Sequence, residues 1–185
     1  YDFVGSINEG TGYDNDCCGF SGLTISDYKS ENPGYKARKG LDKMADLSVY
    51  TYYPDTIFMM IGTNDILVGN KPDKMNLQIK ELIDQLLIYA KNTKKIYIAS
   101  IPYVDVNSLN QHENISQETV NTQIDSYNQH INEYVNKCFN EGYQIYFIDI
   151  NSCLSIKELA DGIHPTPDGY QRIGEYIFDF IFTEK

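Results

Sequence analysis

The sequence predicts an α/β protein, a three-layer α/β/α sandwich built on a parallel sheet. Short apolar runs alternate along the chain with longer segments whose apolar residues recur at helical spacing. The short runs are nearly continuous in apolar residues, which is typical of strands covered on both faces. Strands that alternate with helices form parallel crossover units, so helices are expected on both sides of the sheet.

Four apolar runs are predicted to be strands. They are YDFVGS (1–6), TIFMMIG (56–62), KIYIASIP (95–102) and QIYFIDI (144–150).

Amphipathic helices are predicted over residues 73–91, 116–139 and 168–182, where apolar side chains recur every three to four positions. Gly142 is expected to stop the second of these helices. The glycine-framed turn in CCGFSGLTISDY is predicted to enter a further helix near Thr24.

Length and composition limit the classes of protein to consider. The 185 residues, 42% of them apolar, suit a single domain over 1–185, and no linker, repeat or membrane-length apolar stretch interrupts them. The formal net charge of −11 argues against nucleic acid or an anionic membrane surface as a partner. The four cysteines form no CxxC pair and have no histidine at zinc spacing, which argues against a metal site. Their disulfide pairing stays open.

Polar residues follow the predicted strands, where α/β sheets bind their ligands. GTND (62–65) follows the second strand, and DGIHP (161–165) ends the connection that follows the fourth. The loop after the first strand leads to Gly22. A glycine, an asparagine and an Asp/His pair are therefore expected at one edge of the sheet.

Each of these residue types suits a hydrolytic reaction. Histidine side chains change charge close to neutral pH, so His164 can take up and return a proton, and Asp161 could accept the Nδ1 proton of its ring. The Asn64 amide and the Gly22 backbone N–H are neutral donors for a developing oxyanion. Taken singly, Asp161-Gly162 is a common turn and Asn64-Asp65 a common helix cap. Their joint placement favours a site.

These segments resemble the SGNH (GDSL-type) hydrolase superfamily over essentially the whole chain. GFSGLTISDY resembles the second block of that family, and IGTND and DGIHPTPDGY closely match the third and fifth blocks. The resemblance implies that Gly22 and Asn64 form the oxyanion hole and that Asp161 and His164 belong to the catalytic triad. YDFVGS and GFSGLTI are most similar to carbohydrate esterase family 3, the acetylxylan esterases. That resemblance implies a serine esterase that removes acetyl groups from xylan without a metal or another cofactor.

The sequence departs from the family at the nucleophile. The family carries its serine in a Gly-Asp-Ser motif after the first of five strands, which form a flavodoxin-like sheet ordered 2-1-3-4-5. This sequence contains no Gly-Asp-Ser motif, and it has four predicted strands where the family has five. If residues 1–6 are the second strand, the central first strand is missing. A crossover unit takes about 30 residues, so that length of chain is expected before Tyr1. Ser6 and Ser21 are weaker candidates for the nucleophile.

Two other functions remain open. One is a different SGNH enzyme, such as a lysophospholipase or a thioesterase; the other is a non-catalytic carbohydrate-binding or scaffold component that retains the fold. The acidic charge, the absent initiator methionine and the usual location of the family's members predict a secreted protein that acts on an acylated polysaccharide. A place in a larger multi-domain enzyme is a further expectation.

Overall fold

A computed structural model of the chain describes residues 7–8, 16–17, 21–29, 37–109 and 116–183. The predicted strand over residues 1–6 and the candidate nucleophile Ser6 lie outside these residues. Ile7–Asn8 (β1) and Asp16–Cys17 (β2) pair as a short antiparallel ladder that the sequence patterns did not predict.

The main sheet contains three parallel strands, Thr56–Met59 (β3), Lys95–Ala99 (β4) and Ile145–Ile148 (β5), in the order β3-β4-β5. Each lies inside one of the predicted apolar runs. The register places Ile57 opposite Ile96 and Ile98 opposite Phe147. The strands therefore end at one edge of the sheet, and the segments that follow them share that edge.

Five helices lie between and after the strands within the described residues. They are Ala45–Tyr52 (α1), Thr63–Leu67 (α2), Pro72–Tyr89 (α3), Gln117–Asn140 (α4) and Pro167–Thr183 (α5). Three of them confirm the periodic segments. Pro72 occupies the first turn of α3, where its missing N–H costs nothing, and the Ser116 side chain caps α4 by accepting from the N–H of Thr119. Gly142, at φ +98°, follows the end of α4 as expected.

The two faces of the sheet enter different cores, which confirms the three-layer arrangement. Ile96 and Ile98 of β4 join the larger core, which also contains buried residues of α1, α3 and α4. Tyr97 and Ala99, on the other face, pack with residues of α5. The ring of Tyr97 meets that of Phe180 edge to face, with 6.3 Å between the centroids. Continuous apolar character in β4 therefore reflects burial from both sides.

β3 is covered less completely than β4. In the part of the chain that the structure describes, its only strand partner is β4. Phe58 of β3 and Met60, just after it, keep 43% and 45% of their surface exposed. Within the described residues, the face of β3 that carries Phe58 therefore lacks the cover that both faces of β4 have.

The predicted helix near Thr24 is wrong. Thr24 instead lies in an extended segment: its N–H donates to the carbonyl of Lys39 and its own carbonyl accepts from the N–H of Leu41. The neighbouring helix is α1, which buries only Ala45 and Val49 and so has little periodic signal. Pairing with the 39–41 segment outweighs the local pattern, since a buried Thr24 backbone requires partners for both of its polar groups.

Candidate active site

Segments that follow β3 and β4 are fixed by side chains of α4. The hydroxyl of Tyr127 donates to the carbonyl of Ile61 at 2.8 Å, and the Asn128 amide binds both the N–H and the carbonyl of Ile101 at 2.9 Å. Gly62 has φ +126°, and a Cβ there would lie 2.6 Å from the Tyr127 ring. A glycine is needed at this strand end because the backbone conformation and the nearby ring both exclude a side chain.

The predicted oxyanion residues are brought together. The turn at Gly22 has φ +74°, and a Cβ there would lie 1.9 Å from Nη1 of Arg38. Nδ2 of Asn64 donates to the carbonyl of Leu23, the residue after Gly22, at 2.9 Å. An amide has two N–H groups, so this bond fixes the orientation of Asn64 and leaves its second N–H available to a ligand.

Asp65, next to Asn64, is a site feature that the sequence patterns interpreted only as a helix cap. Its side chain makes no cap of α2. The carboxylate is fully buried and accepts from the backbone N–H of Ile25 and from Nδ2 of Asn70, each at 3.0 Å. Burial raises the pKa of the Asp65 carboxyl to about 6. The available signal was a carboxylate placed directly before the apolar pair Ile66-Leu67 in α2.

The predicted Asp161–His164 pair is formed. Oδ2 of Asp161 lies 2.8 Å from Nδ1 of His164, and Oδ1 accepts from the backbone N–H groups of His164 and Ile163 at 2.7 and 3.0 Å. The His164 and Ile163 bonds hold the pKa of the Asp161 carboxyl well below its usual range. The carboxylate is therefore ionised at neutral pH and favours the proton on Nδ1, which leaves the Nε2 lone pair free to accept a proton.

Backbone contacts hold the loop that carries this pair. The N–H of Ala160 donates to the carbonyl of His164 at 2.7 Å, and Leu159 forms an isolated bridge with Pro165. The carbonyl of Gly162 accepts from the N–H of Asp105, in the segment after β4, at 2.8 Å. Gly162 has φ +86°, and a Cβ there would lie 2.7 Å from the Asp105 carbonyl oxygen. The loop is thereby attached to the segment that follows the central strand.

The site has two internally bonded halves, the Gly22–Asn64 half beside β3 and the Asp161–His164 half after β5. His164 and Asp161 are 67% and 56% exposed at their side chains, so the ring is accessible to a substrate. Ser21 is exposed beside Gly22. Within the described residues, no group of three or more His, Cys, Asp or Glu side chains could hold a metal ion, and no helix is long and apolar enough to cross a membrane.

Comparisons with known proteins identify similar esterases. A Ruminococcus flavefaciens protein described as a multidomain esterase is 29% identical over 175 residues, which cover 91% of this chain and 21% of that protein. The chain thus spans about a fifth of the length of this curated relative.

Solved structures share the fold. A Clostridium thermocellum family 3 carbohydrate esterase superposes with a TM-score of 0.71 at 24% identity, covering 96% of this chain and 75% of that one. A family 3 carbohydrate esterase from Talaromyces cellulolyticus gives a TM-score of 0.71 at 20% identity, with 98% and 80% of the two chains covered. The sequence profile of GDSL-like lipases and acylhydrolases matches residues 7–177, and the chain therefore belongs to the GDSL-like lipase/acylhydrolase family.

Proposed function

We propose that the protein is a secreted serine esterase that removes acyl groups, acetyl above all, from a plant cell-wall polysaccharide such as xylan. The observation that carries the proposal is the hydrogen bond between Asp161 and Nδ1 of His164, 2.8 Å long, on an exposed loop at the carboxyl end of the sheet. Membership of an acylhydrolase family supports ester hydrolysis as the reaction in which this pair acts.

His164 acts first as a base and then as an acid. Its Nε2 takes the proton of a serine hydroxyl as the serine oxygen attacks the ester carbonyl, and then returns that proton to the departing sugar oxygen. Water repeats the sequence on the acyl-enzyme and releases acetate. Asp161 keeps the ring in the required tautomer and stabilises the imidazolium, which its ionised state permits.

The oxyanion is held by neutral donors on the other half of the site. The Gly22 N–H and the second N–H of the Asn64 amide supply two donors, and the N–H of the nucleophilic serine supplies a third. The bond from Asn64 to the Leu23 carbonyl supports this role because it aligns the amide with the turn that carries Gly22. Each such donor typically stabilises the transition state by about 2.7–4 kcal/mol.

The nucleophile belongs to a further strand beside β3, in a segment of the full-length protein before Tyr1. Exposure of Phe58 and Met60 supports this position, since a strand with its crossover helix would cover them. A parallel strand there would end next to Gly62 and Asn64, which brings its last residue to the oxyanion donors. Residues 1–185 by themselves are accordingly expected to be inactive.

The choice of substrate rests on the relatives. Two structures that share this fold are described as family 3 carbohydrate esterases, and the matching curated protein is described as a multidomain esterase. A multi-domain context is part of the proposal, because this chain covers about a fifth of the multidomain esterase. The net charge of −11 favours a neutral acylated sugar over a polyanion as the substrate.

Release of acetate from acetylated xylan by the full-length protein tests the proposal. We expect His164→Ala to lower kcat by at least about 10³-fold, because the general base is lost. Ser21→Ala serves as the control and should retain activity, since Ser21 is not the proposed nucleophile. Wild-type rates in the His164 variant would refute the mechanism.

A fluorophosphonate probe, which reacts with activated serines, separates the proposal from its main rival. The full-length wild-type protein should be labelled on a serine upstream of Tyr1. Labelling of Ser21 would move the nucleophile into the present chain. No labelling together with intact binding to xylan would favour a non-catalytic carbohydrate-binding component.

A further inference from the structure

We propose that Asp65 is a positioning residue for ester hydrolysis: its buried carboxylate fixes the Gly22 turn relative to the Asn64 amide, so that both donors address one oxyanion. This inference rests on the proposed function. Asp65 itself contacts no reacting atom in this scheme and acts through the turn that it holds.

The first observation is where the Asp65 carboxylate is directed. Oδ2 accepts from the N–H of Ile25 at 3.0 Å, forty residues away in sequence, and Oδ1 accepts from Nδ2 of Asn70 at 3.0 Å. The carboxylate is fully buried, and no ion pair holds it in the described part of the chain. Both oxygens are therefore occupied by neutral donors, one of which belongs to the oxyanion turn.

The second observation is that Asn64 and Asp65 bind the turn at two points. Asn64 donates to the carbonyl of Leu23 at 2.9 Å, while Asp65 accepts from the N–H of Ile25. Thr24, between these two positions, pairs with the 39–41 segment, whereas the bonds to positions 23 and 25 fix the distance and the orientation of the segment relative to α2. The Gly22 N–H precedes this attached segment, so its direction depends on both bonds.

The third observation is that burial of the Asp65 carboxylate lowers the free energy of unfolding. Burial in an apolar core raises the pKa of the Asp65 carboxyl to about 6, although the Ile25 and Asn70 bonds lower it and Lys74 adds a favourable charge. Tyr127 of α4 also lies near Asp65 and is neutral and fully buried. Packing alone would be served by an apolar side chain of similar volume. The carboxylate instead supplies an acceptor for a backbone N–H that defines the turn.

The experiment uses the full-length protein, an uncharged acetyl ester, and active-site titration with a fluorophosphonate so that unfolded molecules do not count. We expect Asp65→Ala to lower kcat per titrated site by about 10–100-fold, less than the loss of a whole donor, with KM within about twofold. Phenylboronic acid, which forms a tetrahedral adduct with the serine, should lose affinity in parallel with kcat. A merely structural role would reduce the titrated fraction and leave both per-site values unchanged.

Two further variants distinguish a positioning effect from a folding defect. Asp65→Asn keeps the shape but places one amide opposite the Asn70 amide, and we expect kcat to fall by about tenfold. The exchange Asp65→Asn with Asn70→Asp restores a carboxylate opposite an amide, and at least fivefold of kcat should return. Asp84→Asn, which removes a carboxylate bonded to Tyr134 between α3 and α4, is the matched control and should leave kcat unchanged.

The outcomes separate the two proposals. A wild-type protein that neither hydrolyses esters nor reacts with the fluorophosphonate refutes the proposed function. An active wild type whose Asp65→Ala variant keeps its kcat per site and its boronate affinity refutes the positioning role alone.

Discussion

Replacing Asp161 with asparagine removes one proton acceptor and changes little else. The two oxygens of Asp161 have separate partners: Oδ1 accepts from the backbone N–H groups of Ile163 and His164, and Oδ2 faces the His164 ring. In Asp161→Asn, the remaining amide oxygen keeps the two backbone bonds, and the new NH₂ group faces Nδ1. The ring must then carry its proton on Nε2, where it can no longer accept one from serine.

The Asp161→Asn substitution should lower activity far more than it lowers stability. An inverted histidine tautomer lowers kcat by about 10⁴-fold in serine hydrolases, which corresponds to about 5 kcal/mol of transition-state stabilisation. The free energy of unfolding should change by less than about 1 kcal/mol, because the Asp161 side chain is more than half exposed and the backbone bonds persist.

The assay is kcat and KM for acetate release by the full-length protein, together with urea unfolding of both forms. Asp105→Asn is the matched control: its carboxylate likewise accepts from a backbone N–H, that of Asn107, and from a side chain, the Ser108 hydroxyl. That variant should keep wild-type kcat. An Asp161→Asn enzyme that retains more than a tenth of wild-type kcat would show that Asp161 does not set the tautomer.

Two further predictions concern the oxyanion half of the site. Gly22→Ala should lower kcat by at least about 10²-fold, because a residue with a Cβ is strained at φ +74° and the turn must relax to another conformation. Kinetics of the titrated enzyme measure this, and an unchanged kcat would exclude Gly22 as a donor. The Asp65 carboxyl has a pKa of about 6 in the folded protein and 3.8 ordinarily, so its stabilising contribution is present below pH 3.8 and is lost as the pH rises through 6. Between pH 4 and 7, urea unfolding should therefore show wild type losing about 2 kcal/mol relative to Asp65→Asn, and parallel stability curves would contradict this assignment of the buried charge.

Periodicity was enough to locate the main elements of the fold. α3 and α4 each bury one long apolar stripe, and β4 is apolar throughout because it has a core on each face. Such patterns are local records of burial, so they can be interpreted without coordinates. α1 buries two residues and leaves no comparable record, and it was missed.

In the candidate site, too, local features were predictable from the sequence and contacts between distant residues were not. Asp161 and His164 lie three residues apart, and their bond depends on one short loop whose chemistry is visible in DGIHP. Asn64 and Gly22 were predicted from their place after strands and from the family resemblance. That the Asn64 amide meets the carbonyl of Leu23 was not predictable from spacing, since the two residues are forty-one positions apart.

The α/β class, three of the strands, the long helices and the Asp161–His164 pair could be predicted without coordinates, because burial periodicity and short-range hydrogen bonding are encoded within a few residues. Coordinates were needed to show that Thr24 lies in an extended segment, that Phe58 of β3 is exposed, and that Asp65 binds the N–H of Ile25. Each of these depends on which distant backbone group a residue meets. Buried N–H and carbonyl groups must find partners wherever the folded chain supplies them, and that requirement overrides local preference.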